Sequence, residues 1–252
     1  MIDACTHMLC SMGSGFAEFA EAFGTGAGFG WDRRTEEYWH GSDQLTRTAL
    51  PPALIGGILD QMGADVANVS SVVDVGCGYG APTIAVAEHL AGSRVLGVDY
   101  HAVSVAHARE AAEQAGLNDR LRFEVAAATD LPGSGYGLIT FFDSLHDLGD
   151  PVSALAVARE ALTADGVVLL VEPLAGDRVE DNFHPAGRMF YAVSTLVCTP
   201  NAVSQQVVDG PTPLGTLAGE ARLREVAVAA GFTRVRRLPV EAPLNLVLEL
   251  RV

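Results

Sequence analysis

Asp74 is followed by glycines at 76, 78 and 80, with Cys77 and Tyr79 between them, and this run joins an apolar stretch to the helical pattern of Ala81–Ala91. A strand that ends in such a turn brings bare backbone N–H groups and the positive end of a helix to the rim of a sheet, where a polar ligand can be held. Glycine suits the turn because a side chain would block close approach and because such turns use positive φ. Asp99 closes the next apolar run, Arg94–Val98, nineteen residues after Gly80. A carboxylate there can accept hydrogen bonds from both hydroxyls of a ribose. Loop and acid together point to a nucleoside-bearing cofactor.

The spacing Asp-x-Gly-x-Gly-x-Gly differs from the Gly-x-Gly-x-x-Gly of dinucleotide sites, where pyrophosphate sits on the helix end. An aspartate facing the turn repels phosphate and suits a ligand with an ammonium group. The stretch Val72–Gly80, continued by Leu96-Gly97-Val98-Asp99-Tyr100, resembles the class I S-adenosylmethionine-dependent methyltransferases, and the resemblance spans about residues 70–252. It implies S-adenosyl-L-methionine as cofactor. Its amino-acid end would lie on Asp74, Gly76, Cys77, Gly78 and Gly80, its ribose on Asp99 and its adenine beside Tyr100. The family places an acid near the adenine amine after the third strand. This chain has Ala127 and Ala128 there, with Asp130 three residues beyond Ala127. Phe142 and Asp143 would border the sulfonium.

His146-Asp147 is similar to the His-Asp pair of plant-type small-molecule O-methyltransferases, in which the histidine deprotonates the acceptor hydroxyl. An imidazole of near-neutral pKa can take a phenol or enol proton. Three roles stay open for His146: general base, pocket wall and metal ligand. Trp39 and His40 would contribute to the acceptor pocket from the N-terminal side, and His184 and Tyr191 from a long connection after the fifth strand. His184, His146 and a carboxylate such as Glu180 could surround a metal, but no short ligand spacing supports one, and a polar lid is the default.

These residues need a scaffold. Strands are expected at 71–75, 94–98, 121–125, 138–142, 167–171, 233–238 and 245–251, and helices at 81–91, 102–115, 151–162 and 219–230. The β-α alternation builds a Rossmann-like, doubly wound α/β fold. The Pro-Val-Glu-Ala-Pro connection makes the last two strands antiparallel neighbours. The family resemblance implies a seven-stranded order of 3-2-1-4-5-7-6. Residues 1–68 read as a helical cap, with apolar helix at Phe16–Phe23, a glycine-rich hinge from 24 to 30, amphipathic pieces at Glu36–His40 and Asp43–Thr48, and a helix at Pro52–Met62. Residues 69–252 form the core, with 174–215 inserted as a lid, since loops of such length are usually functional.

Composition narrows the partners. A net charge of −15 gives no basic stripe for nucleic acid or anionic membrane. No apolar run reaches the roughly 20 residues of a membrane span. The start Met1-Ile2-Asp3 lacks the basic residues of an export signal, so a cytoplasmic location is expected. Cys5, Cys10, Cys77 and Cys198 have no Cys-x-x-Cys spacing, and neither a disulfide framework nor zinc is expected from it. The expected activity is methyl transfer to a small-molecule, secondary-metabolite-like acceptor, O-methylation ahead of C-methylation, with the cap able to pack across a homodimer. The alternatives are a regulator or non-methylating enzyme that binds the same cofactor, and a nicotinamide oxidoreductase.

Overall fold

The computed structural model describes residue 7, residues 16–205 and residues 213–252 of the chain. Met1-Ile2-Asp3, Cys5, Cys10 and part of the expected lid lie outside the described residues.

Seven strands form one sheet in the order β3-β2-β1-β4-β5-β7-β6. They are β1 (Ser71–Val75), β2 (Arg94–Asp99), β3 (Leu121–Val125), β4 (Tyr136–Phe142), β5 (Leu162–Pro173), β6 (Arg234–Arg237) and β7 (Asn245–Arg251). β7 runs antiparallel to both β5 and β6, and the other pairs are parallel. This is the expected fold and strand order. The strands read as continuous Val/Ile/Leu/Phe runs because both faces are covered, as parallel sheets require.

Side chains alternate between two cores. Val72, Val95, Leu138, Leu169 and Val247 face one side, with α3 (Pro52–Met62), α4 (Ala81–His89) and α5 (Ala102–Gln114) over them. Val73, Ile139, Phe141, Leu170 and Leu248 face the other, under α6 (Pro151–Ala161) and α9 (Gly219–Ala229). The remaining helices are α1 (Phe16–Thr25), α2 (Glu36–Ala49), α7 (Pro185–Val193) and α8 (Thr199–Ser204). Asp150 caps α6 by accepting from the Ser153 N–H, ahead of Pro151 in the first turn. Among the described residues no helix is long and apolar enough to cross a membrane.

The two amphipathic pieces expected between 36 and 48 are one helix, α2, which continues through the buried Gly41. The fifth strand begins at Leu162, five residues earlier than expected, because Leu162 pairs with Tyr136 across a register irregularity. In the 174–215 connection a 3-10 turn (Val179–Asn182) precedes α7, and a π turn (Ser194–Cys198) joins α7 to α8.

The N-terminal segment docks on that connection. The Phe29 N–H donates to the Pro200 carbonyl and the Trp31 N–H to Asn201 Oδ1. Arg34 donates to the Leu196 carbonyl at 3.1 Å and stacks its guanidinium 4.5 Å from the Tyr38 ring centroid. Tyr38, Val197 and Cys198 form a small third core beneath this contact. Two segments distant in sequence thus close together over the C-terminal ends of β1 and β4.

Candidate functional site

A cleft enclosing about 860 Å³, part of it open to solvent, lies at those strand ends. Its wall is built first from the β1–α4 turn. Gly76, Gly78 and Gly80 all take positive φ (73°, 52° and 84°). The Gly76 and Cys77 N–H groups donate to the Val98 carbonyl, which stitches the turn to β2. A side chain on Gly78 would stand in open space at the cleft wall, whereas one on Gly80 would meet the Phe123 ring at 2.7 Å and Ala108 at 3.0 Å. Gly78 is therefore the glycine that leaves room for a ligand, and Gly80 the one that lets the turn pack on the core.

Asp99 organises this turn. One carboxylate oxygen accepts from the Gly78 N–H and the other from the His101 N–H, each at 2.9 Å. Burial raises its pKa, against these two bonds, which lower it. Both oxygens keep a free lone-pair direction. Asp74, on the same face of β1 as Val72, lies fully buried at the foot of the turn. It accepts from Thr83 Oγ1 at 2.6 Å and from Thr140 Oγ1, on the strand beside it, at 2.8 Å. Burial lifts its pKa to about 7 in spite of the two hydroxyls.

The far wall comes from the β4 end. Phe142, Asp143, Ser144, Asp147 and Leu148 line it. Asp143 has φ +49°, the one positive value at a non-glycine position among the described residues. Its N–H donates to the Val171 carbonyl, and Asn245 Nδ2 donates to its Oδ1 at 2.8 Å, so β5 and β7 hold this strained residue in place. Burial and the nearby Glu172 carboxylate raise its pKa to about 7. Trp31, Trp39 and Tyr100 supply the aromatic wall. Trp39 Nε1–H donates to the Trp31 carbonyl at 3.0 Å, and its ring lies 4.6 Å from that of His101. Asn201, which accepts from the Tyr100 hydroxyl at 3.0 Å, and Gln205 close the cleft from α8.

Five aspartates (Asp43, Asp74, Asp99, Asp143 and Asp147) line this cleft, and no Lys or Arg does among the described residues. Such a wall repels phosphate and favours a cationic ligand. The donor set fits the expected cofactor: a carboxylate with free lone pairs at the ribose position, an open glycine cradle, and acids around a positive centre.

His146 sits behind this wall. It is buried, and it is not among the lining residues. Its Nδ1 lies 2.6 Å from Glu172 Oε2, while Glu172 Oε1 accepts from the Leu145 N–H at 2.9 Å. Its Nε2 faces Asp147 Oδ1 at 3.5 Å. Burial opposes the imidazolium, but the Glu172 and Asp147 carboxylates outweigh it and hold the pKa well above the ordinary histidine value.

The structure brings Asp74, Gly76, Cys77, Gly78, Asp99, Tyr100, Phe142, Asp143 and Trp39 to one cleft. Gly80 supports it from beneath. Ala127 and Ala128 lie in the turn after β3, outside the lining. His40 is on the exposed face of α2, its ring 5.7 Å from those of Tyr79 and His107. His184 caps α7 by accepting from the Gly187 N–H through Nδ1, and Tyr191 lies partly exposed on that helix. Neither lines the cleft. Sequence reasoning passed over Glu172, Trp31, Asn201, Gln205 and the placement of Cys198. An acid at the end of an apolar strand, Val171-Glu172-Pro173, was the available signal for the first.

A methyltransferase-domain family model matches residues 73–168, the span from β1 to β5 that builds the glycine turn, Asp99 and the β4 wall. Residues 73–168 thus belong to the class I S-adenosylmethionine-dependent methyltransferase domains. Among relatives of this family, the O-demethylpuromycin-O-methyltransferase of Streptomyces alboniger is 32% identical over 191 residues, which cover 73% of this chain and 46% of that protein. The chain spans about half the length of that relative. A putative O-methyltransferase from Nostoc punctiforme superposes with a TM-score of 0.68 at 20% identity, covering 98% of this chain and 71% of that one. An O-methyltransferase from neocarzinostatin biosynthesis, solved with S-adenosyl-L-homocysteine and 1,4-dihydroxy-2-naphthoic acid, superposes with a TM-score of 0.58 at 23% identity over 94% of this chain and 68% of that one. At these identities the superpositions show the fold.

Proposed function

We propose that this chain binds S-adenosylmethionine in the cleft and methylates a small organic acceptor, at oxygen in preference to carbon. The observation that carries the reading is the acidic cleft around the glycine turn, with no lysine or arginine among its described lining residues and with the Asp99 carboxylate bonded to the turn. The cofactor, when bound, supplies a methyl group already activated by a positive sulfur.

The chain's own work is then placement and the exclusion of water. Gly78 and the Asp99 carboxylate seat the cofactor. Asp143 and Asp147 put negative charge on the wall where a positive centre needs it. Trp31 and Trp39 offer flat apolar surface to an aromatic or similarly planar acceptor, and Tyr100 offers it to the adenine. The N-terminal segment and residues 174–205 of the following connection act as lids, locked together by Arg34 and Asn201. The relatives named above are O-methyltransferases by name, which supports oxygen as the methylated atom.

A second reading, cofactor binding without transfer, is favoured by one observation: His146 stands behind Asp147 and does not reach the cleft lining. Incubation with methyl-labelled donor and a fractionated small-molecule extract separates the two. The proposal expects label in an organic product that is cleaved as an ether. Cofactor binding without any labelled product would favour the binder.

A further inference from the structure

We propose that His146, Asp147 and Cys198 form a three-ligand site for a zinc-class divalent ion on the inner wall of the cleft. The ligand atoms available on these three side chains all lie within 4.8 Å of one another. Two of them, His146 Nε2 and Asp147 Oδ1, are 3.5 Å apart. A tetrahedral ion bonded at about 2.0–2.3 Å needs neighbouring ligands roughly 3.3–3.8 Å apart, so Cys198 Sγ, no more than 4.8 Å from either, would settle inward by at most about 1.3 Å. One sulfur, one nitrogen and one oxygen are ligands that zinc accepts together, and three protein ligands leave a position open for a further one.

Three further observations point the same way. Glu172 holds His146 Nδ1 at 2.6 Å and is itself held by the Leu145 N–H. That carboxylate–histidine arrangement turns Nε2 toward Asp147 and Cys198, as the outer partner of a metal-bound histidine does, and an ion bound there would displace the proton that Nε2 carries in the ion-free chain. Asp147 Oδ1 is buried, makes no hydrogen bond, and faces His146 Nε2 at 3.5 Å, which leaves both atoms available to one shared ion. Cys198 ends the π turn, a wide turn of the kind often found at functional sites, and its sulfur accepts from the Thr216 hydroxyl at 3.1 Å.

The grouping with His184 and Glu180, for which the sequence offers no ligand spacing, is not the one the fold assembles; His184 is committed to capping α7. Asp147 belongs both to the cluster and to the cleft wall. An ion there would bind one hydroxyl oxygen of the acceptor at its open position. It would lower the pKa of the bound hydroxyl, whose proton leaves to water as the acceptor binds. This last step rests on the methyl-transfer reading; the ion site itself does not.

The test is titration of the chelator-stripped chain with Co²⁺, followed by absorbance. The expected result is saturation at one equivalent per chain with a thiolate-to-cobalt charge-transfer band. Cys198→Ser should remove the band while circular dichroism shows the fold intact. Glu172→Gln should keep the band but weaken binding ten- to a hundredfold, as loss of an outer partner does. No saturable uptake, or a band that survives in Cys198→Ser, overturns the site. Calorimetry with S-adenosylhomocysteine on the same metal-free protein keeps the two readings apart: heat there with no cobalt uptake sinks the ion site alone.

Discussion

Replacing Gly78 and Gly80 separately with alanine should split binding from folding. At Gly78 the new methyl meets nothing within 4 Å, so its only internal cost is the left-handed backbone at φ +52°. That cost is about 1–2 kcal/mol. At Gly80 the same backbone cost applies at φ +84°, and the methyl also lands 2.7 Å from Phe123 and 3.0 Å from Ala108. Phe123 is buried and cannot swing away, so overpacking adds about 1–3 kcal/mol. Together the Gly80→Ala loss is on the order of 2–5 kcal/mol. Urea unfolding gives the stabilities and calorimetry with S-adenosylhomocysteine gives the affinities. Gly78→Ala should remain folded and bind at least tenfold more weakly, because its methyl stands in the ligand's space. Gly80→Ala should lose the greater part of its stability, with weaker binding following from that. Unchanged affinity in Gly78→Ala, or Gly80→Ala as stable as the parent, would refute the division of labour between the two glycines.

Three other outcomes are expected. Asp74 has a folded-state pKa of about 7, above the ordinary value of 3.8, so its contribution is complete at low pH and is lost as pH rises through about 7; Asp74→Asn, whose amide can still pair with the Thr83 and Thr140 hydroxyls, should abolish a stability decline of up to about 4 kcal/mol between pH 4 and 8, and equal slopes in both proteins would contradict this. Arg34→Ala removes bonds to two carbonyls and the stacking on Tyr38, worth about 2–5 kcal/mol in all; limited proteolysis should then cut first in the segment around residues 24–34, and an unaltered cleavage pattern would show that this contact does not hold the lid. Asn245→Leu takes away the side-chain donor to Asp143, so cofactor affinity should fall several-fold with the fold retained, and full affinity would mean that Asp143 needs no such support.

Much of the scaffold was legible because the physics is local. Apolar runs broken by glycine and Asp-Pro signals gave every strand, and the acid-and-glycine turn followed by an acid at 99 gave the cofactor side of the cleft. Helix α2 was cut in two because Gly41 interrupts its pattern, yet packing carries the helix through it. The early start of β5 depends on Leu162 finding Tyr136, a pairing no periodicity within residues 162–166 announces. The acceptor side was harder still. Glu172, Cys198 and Asn201 reach His146 and the cleft only through strand order and the docking of the 174–215 connection, which brings residues 26 to 54 positions apart into contact. His184 looked chemical in isolation, but the Pro185 that follows it marks the helix start it caps.

The account stands on a phosphate-free nucleoside seated between Gly78 and Asp99. Isothermal calorimetry of the chain and of Asp99→Ala, each with S-adenosylhomocysteine and with NADH, tests this most directly. The expected result is saturable heat with S-adenosylhomocysteine alone, lost or weakened at least tenfold in Asp99→Ala. Heat with NADH, or S-adenosylhomocysteine binding that ignores the loss of Asp99, would contradict it.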